Sequence, residues 1–259
     1  MPNVLAIALL VMTSLAQATP QRLNYTLVSE RAHPNLAFTQ GLLIEGDQFV
    51  ESSGGYGKSF LQRYALAADA PQKPQVRHLP RQDFAEGLAA TASGLWLLTW
   101  QQGIAKRLDA NNFAVQQVAR FKGEGWGLAF DGQHLIMSDG SDQLTWRDAN
   151  FQVIRQQAVS FNGQPLHRLN ELEYALGTLW ANVWFDPHIV AIAPDTGHVV
   201  AYVDLSPIIE AEAKLHTNGL PHHATLNGIA FNAATETFWV TGKNWRKLYE
   251  IKLLDWQPE

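Results

Sequence analysis

The 259 residues are 46% hydrophobic, with nine Trp, twelve Phe and six Tyr, enough for one large all-β domain or two small ones around a sizeable core. Charged residues make up only 17%, which argues against disorder, and a net charge of −5 without any basic block excludes a nucleic-acid partner or a basic membrane-binding face. The absence of Cys excludes disulfides and thiolate chemistry.

In chain order, residues 1–18 carry no charged side chain, residues 4–11 are an apolar run, and Ala16-Gln17-Ala18 has the small-x-small pattern of a cleavage site. This predicts a secretory signal peptide cut before Thr19, and hence a periplasmic or secreted protein whose single domain covers 19–259. The run is too short to span a bilayer, and no later segment is long enough.

From residue 39 onward one phrase recurs: Thr39-Gln40-Gly41-Leu42, Ala85-Glu86-Gly87-Leu88, Gly125-Trp126-Gly127-Leu128, Leu169-Asn170-Glu171-Leu172 and Leu226-Asn227-Gly228-Ile229. The Gly slots, with Glu171 occupying the fourth, lie 46, 40, 44 and 57 residues apart. A period in the forties is that of a four-stranded propeller blade. Each phrase is followed by an apolar β-rich run (48–50, 95–98, 135–137, 178–180, 237–240) after a turn, and then by a third run (59–64, 104–108, 143–147, 188–192, 247–251). Fourth strands are predicted at 75–79, 113–121, 152–159 and 198–205. The fifth unit lacks one, and residues 23–29 can supply it, closing a five-bladed ring without free edges. A helix over 208–215, with Ser206 as N-cap and Pro207 in its first turn, accounts for the long fourth interval.

The first strand of each blade lines a propeller's channel, so the residues before the Gly slots form a ring: Gln40, Glu86, Trp126, Asn170 and Asn227. The ends of the second strands form a second ring of Gly54, Trp100, Gly140, Trp184 and Lys243. A single carboxylate beneath an aromatic wall suits acid–base work, because desolvation raises a carboxyl pKa toward neutrality. The plainer alternative for Glu86 is a structural ion pair with Lys243 or Arg107. Trp96, Trp180 and Trp239 read as core, and Asn227 as a partner for backbone groups or channel water. His216, His222 and His223 read as solvated loop residues, since they lack metal-ligand spacing. Asp139, Asp142 and Asp186 read as turn residues, and no phosphate loop, dinucleotide fingerprint or nucleophile elbow is present.

Eight phrases in order then carry a family resemblance: Phe38-Thr39-Gln40-Gly41-Leu42, Glu51-Ser52-Ser53-Gly54-Gly55-Tyr56-Gly57, Phe84-Ala85-Glu86-Gly87-Leu88, Leu98-Thr99-Trp100, Gly123-Glu124-Gly125-Trp126-Gly127-Leu128, Asn170-Glu171-Leu172-Glu173-Tyr174, Trp180-Ala181-Asn182-Val183-Trp184 and Leu226-Asn227-Gly228-Ile229-Ala230. From Phe38 to Leu253 the chain resembles the plant and bacterial glutaminyl-peptide cyclotransferases. The resemblance implies a five-bladed propeller that converts N-terminal glutamine of peptides to pyroglutamate with release of ammonia. It implies Glu86 as general acid/base and Phe38, Gln40, Phe84, Trp100, Trp126, Asn170, Trp184 and Lys243 around the substrate. No cofactor is required, and the family leaves room for a structural calcium ion in the channel. The chain is expected to act as a monomer on peptides or proteins with N-terminal Gln. Ala85 and the loop between Ile209 and Leu226 depart from the family pattern and bear on which residue may follow the Gln. The alternatives are a calcium-dependent lactonase-like hydrolase using Glu86, Asn170 and Asn227 as ligands, and a non-catalytic propeller that binds peptides or sugars.

Overall fold

A computed structural model describes residues 19–67 and 73–257; the predicted signal peptide lies outside the described residues. Five antiparallel four-stranded sheets follow one another along the chain, each starting at its innermost strand. Blade 1 comprises Thr39–Glu45, Gln48–Ser53, Phe60–Ala65 and Gln75–His78. Blade 2 comprises Ala85–Thr91, Gly94–Thr99, Ile104–Leu108 and Val115–Arg120. Blade 3 comprises Leu128–Phe130, Leu135–Ser138, Gln143–Arg147 and Val153–Ala158. Blade 4 comprises Leu169–Ala175, Thr178–Val183, His188–Ile192 and Val199–Asp204. Blade 5 takes Leu226–Asn232, Thr237–Gly242 and Lys247–Leu253 from the C-terminal part of the chain. Its outer strand is Tyr25–Ala32, paired antiparallel from Tyr25↔Leu253 to Ala32↔Lys247.

The closing strand is thus real, but its bounds differ from the expected 23–29. Leu23 belongs instead to a separate strand, Gln21–Leu23, which adds in parallel to the outer strand of blade 4. Leu23 is buried beside Val203 in the core between blades 4 and 5, and three residues in parallel pairing leave no alternation to read. The helix is Ser206–Ala213, with Leu205 at the N-cap. Ser206 is the first helical residue rather than the cap; its N–H donates to Asp204 Oδ1 at 3.0 Å, so the side chain two residues upstream satisfies it. A short hairpin, Ser160–Phe161 with Gln164–Pro165, falls outside the repeat.

Strand alternation divides the core into five clusters, one at each interface between neighbouring blades. Leu42 faces blade 5 with Phe49, Trp239 and Leu248, whereas its neighbour Leu43 faces blade 2 with Val50, Leu61 and Leu88. Trp96, Trp180 and Trp239 are buried in these clusters, as expected. At the axis the inner strands approach too closely for side chains. A Cβ on Gly127 would lie 1.9 Å from Asn170 O, and one on Gly87 would lie 2.4 Å from Leu128 N. The close approach lets Gly87 N donate to Trp126 O at 2.6 Å, tying blade 2 to blade 3. Glu171, in the fourth slot, reaches across the channel instead: its carboxyl accepts from Leu42 N at 3.3 Å in blade 1 and from Ile229 N at 2.9 Å in blade 5.

Ring closure between blades 5 and 1 is reinforced by a buried ion pair. His33 Nε2 lies 3.0 Å from Glu51 Oε2 and Nδ1 lies 3.0 Å from Trp245 O. A carboxylate and a carbonyl can only accept, so both ring nitrogens carry hydrogens and the ring is an imidazolium. Glu51 also accepts from Thr39 Oγ1, Gln62 Nε2 and Tyr64 OH at 2.6, 2.7 and 3.1 Å.

Candidate active site

The repeat places the site through a local irregularity of each inner strand. The ladder slips between Thr39 and Gly41, Ala85 and Leu88, Leu169 and Leu172, and Leu226 and Ile229. Such a bulge re-aims one side chain, here Gln40, Glu86, Asn170 and Asn227, out of the pleat and into the channel. In blade 3 the ladder begins only at Leu128, and Trp126 is held by donation of its N–H to Ser138 O at 3.1 Å.

Both rings converge on one cavity of about 210 Å³, lined by Phe38, Gln40, Phe84, Glu86, Trp100, Trp126, Asn170, Trp184, Lys243 and His223. It is smaller than the ~300–1,000 Å³ of most ligand sites, a size suited to one bent side chain. The glycines of the upper ring make space for its walls. A Cβ on Gly54 would meet Phe84 at 2.3 Å, and one on Gly140 would meet the Trp126 ring at 2.6 Å. Trp126 and Trp184 meet edge to face at 5.5 Å, and Phe84 and Trp100 pack at 5.3 Å.

All nine residues singled out from the sequence come together here. Asn227 does not line the cavity; its Nδ2 donates to Thr39 O at 2.9 Å, the structural role expected of it. His223 is exposed in its loop, as expected, and it also lines the cavity, which the sequence reading did not include. Its signal was weak, a position three residues before the inner strand of blade 5, where the chain enters the channel mouth.

Glu86 is 5% exposed, and its side chain is held by Gln40, whose Nε2 donates to Oε1 at 3.0 Å, not by an ion pair with Arg107 or Lys243. Burial pushes its carboxyl well above the usual range; the charge of Lys243 opposes this and that of Glu124 adds to it. Lys243, equally buried, has its ammonium 5.0 Å from the Phe38 ring centroid. Burial brings its pKa down to about 8, against the attraction of Glu86. Burial thus raises the one group and lowers the other, drawing the two together in proton affinity. The other cavity amides are available to a ligand. Gln40 Oε1 is buried without a partner, and Asn170 lines the same cavity.

The channel carboxyl Glu171 directs both oxygens at backbone N–H groups, and the described residues contain no group of three or more His, Asp or Glu side chains placed to hold a metal ion.

Fold and site together define a five-bladed propeller with a small aromatic-walled cavity at its channel mouth, lined by one buried carboxyl, Glu86. The family model described as glutamine cyclotransferase matches residues 3–253. The chain belongs to that family. It is 36% identical over 233 residues to the glutaminyl-peptide cyclotransferase of Arabidopsis thaliana, covering 88% of this chain and 70% of the relative. It is also similar to the crystal structure of Myxococcus xanthus glutaminyl cyclase, with 33% identity and a TM-score of 0.81 over 91% of this chain and all of that one.

Proposed function

We propose that this chain is a glutaminyl-peptide cyclotransferase that closes the N-terminal glutamine of peptides and proteins into pyroglutamate and releases ammonia, with Glu86 as the proton carrier. The observation that carries the reading is a buried carboxyl of raised proton affinity beneath three indoles, in a cavity large enough for one side chain. The α-amine attacks the γ-carboxamide carbon, a nitrogen–carbon bond forms, and the bond to the departing nitrogen breaks. Because the nucleophile belongs to the substrate, holding the bent side chain between Trp100, Trp126 and Trp184 is itself a large part of catalysis. An α-ammonium has a pKa of about 7.7–8.0. A carboxyl raised toward that value can take its proton and return it to the leaving ammonia, help worth ~10²–10⁴-fold. Asn170 and Lys243 can donate to the oxygen on which negative charge develops. Gln40, whose donor already serves Glu86, is better placed to accept from the amine through its free oxygen.

The reading requires no cofactor. With it go the finer expectations of a cleaved N-terminal signal, a periplasmic or secreted location, and a monomeric propeller domain over 19–259. No helix among the described residues is long and apolar enough to cross a membrane.

Incubating the purified chain with a Gln-initiated dipeptide, with and without chelator, tests this directly. Equal ammonia release in both arms, with pyroglutamyl peptide as product, is expected. Loss of turnover with chelator would favour the metal-dependent hydrolase. Saturable binding without ammonia would favour a non-catalytic propeller.

A further inference from the structure

The aromatic wall is held by a carboxylate outside the cavity. Glu124 lies in the turn Gly123-Glu124-Gly125 that leads into blade 3; Gly123 has φ 93°, in the left-handed region. A Cβ on Gly125 would lie 2.9 Å from the Phe121 ring, 3.0 Å from Thr99 O and 3.1 Å from Leu98 Cβ, so the turn lies tightly against blade 2. Glu124 Oε2 accepts from Trp100 Nε1 at 2.8 Å and from Trp126 Nε1 at 2.9 Å. Its Oε1 accepts from Gln101 Nε2 at 3.1 Å. One oxygen thus joins indoles supplied by different blades, and each indole is in turn packed against another wall residue, Trp100 on Phe84 and Trp126 on Trp184.

We propose that Glu124 is a positioning residue that fixes the distance between Trp100 and Trp126, and so the width of the slot in which the substrate's glutamine side chain bends. It touches the indoles, not the reacting atoms. Although burial pushes the Glu124 carboxyl up, the donors on Trp126, Gln101 and Trp100 outweigh this and keep it ionised. Its charge then acts on Glu86, which is faced by Lys243 of opposite sign and by Glu124 of like sign.

The proposal rests on the cyclotransferase reading for its kinetic arm alone. Glu124→Leu removes the acceptor; Glu124→Gln keeps an oxygen with two lone pairs but removes the charge. Leu should lower kcat ~10–100-fold, the scale of a small misplacement of a bound substrate, and should move both indole N–H resonances. Gln should restore kcat to within about fivefold of the parent, as a retained two-lone-pair acceptor implies. It should also shift the acidic limb of the pH–rate profile downward, because the like charge beside Glu86 is gone. Parental kcat and indole resonances in Glu124→Leu, a Gln variant as slow as the Leu variant, or an upward shift of the limb would each overturn it. The resonances need no turnover, so a parent that releases no ammonia defeats the cyclotransferase reading while the clamp is still tested.

Discussion

Replacing Glu86 by Gln separates catalysis from folding at one atom. The amide is nearly isosteric, and its oxygen can still accept from Gln40 Nε2, which donates to Glu86 at 3.0 Å. What disappears is the exchangeable proton, so turnover should fall by ~10²–10⁴-fold. Stability should move the other way. The folded-state pKa of Glu86 is raised, so its ionisation opposes folding: the native state is favoured while the carboxyl is protonated and loses stability as pH rises through the folded pKa. Each unit of upward displacement corresponds to ~1.4 kcal/mol. Denaturant unfolding should therefore find the variant equal to the parent near pH 4 and more stable than it at pH 9. Ammonia release from a Gln-initiated dipeptide gives the kinetic half. A variant turning over within threefold of the parent, or one less stable than the parent at pH 9, would refute the assignment of a buried, proton-carrying carboxyl.

Other outcomes follow from the same geometry. Lys243→Met should raise the acidic limb of the pH–rate profile, because the ammonium is the charge that holds Glu86 down, and a limb displaced downward would show that it acts otherwise. His33→Phe should cost ~3–5 kcal/mol in urea unfolding, since Glu51 would remain buried without its counter-charge. For His33, burial lowers proton affinity, but Glu51 more than compensates and the folded pKa is raised; that of Glu51 is lowered by the same pair. The stability they contribute is therefore complete between about pH 4.5 and 6.5, fading below as Glu51 protonates and above as His33 loses its proton. Gly127→Ala should cost about 3 kcal/mol or more, because the added carbon would fall 1.9 Å from Asn170 O; a fully folded, equally stable variant would mean that the inner strands can part.

Much of the architecture was legible because it is locally enforced. The axis admits no Cβ at Gly41, Gly87 or Gly127, so a small residue must recur wherever an inner strand crosses it, and the residue before it must point into the channel. The same periodicity brings Gln40, Glu86, Trp126, Asn170, Trp100, Trp184 and Lys243 to one cavity, whereas Phe38 and Phe84 follow from the family resemblance. Other features have no such periodic cause. Glu171 fills a glycine slot because its side chain finds backbone donors in two other blades. Leu23 leaves the closing strand for blade 4, His33 meets Glu51 across the seam, and the exposed His223 borders the cavity. By itself the sequence determined the blade repeat, the ring that carries Glu86 and the aromatic walls, since alternation and steric exclusion act over a few residues. Only the tertiary structure decided which side chains bridge blades, because those contacts exist only once the ring has closed and brought distant segments within hydrogen-bonding reach.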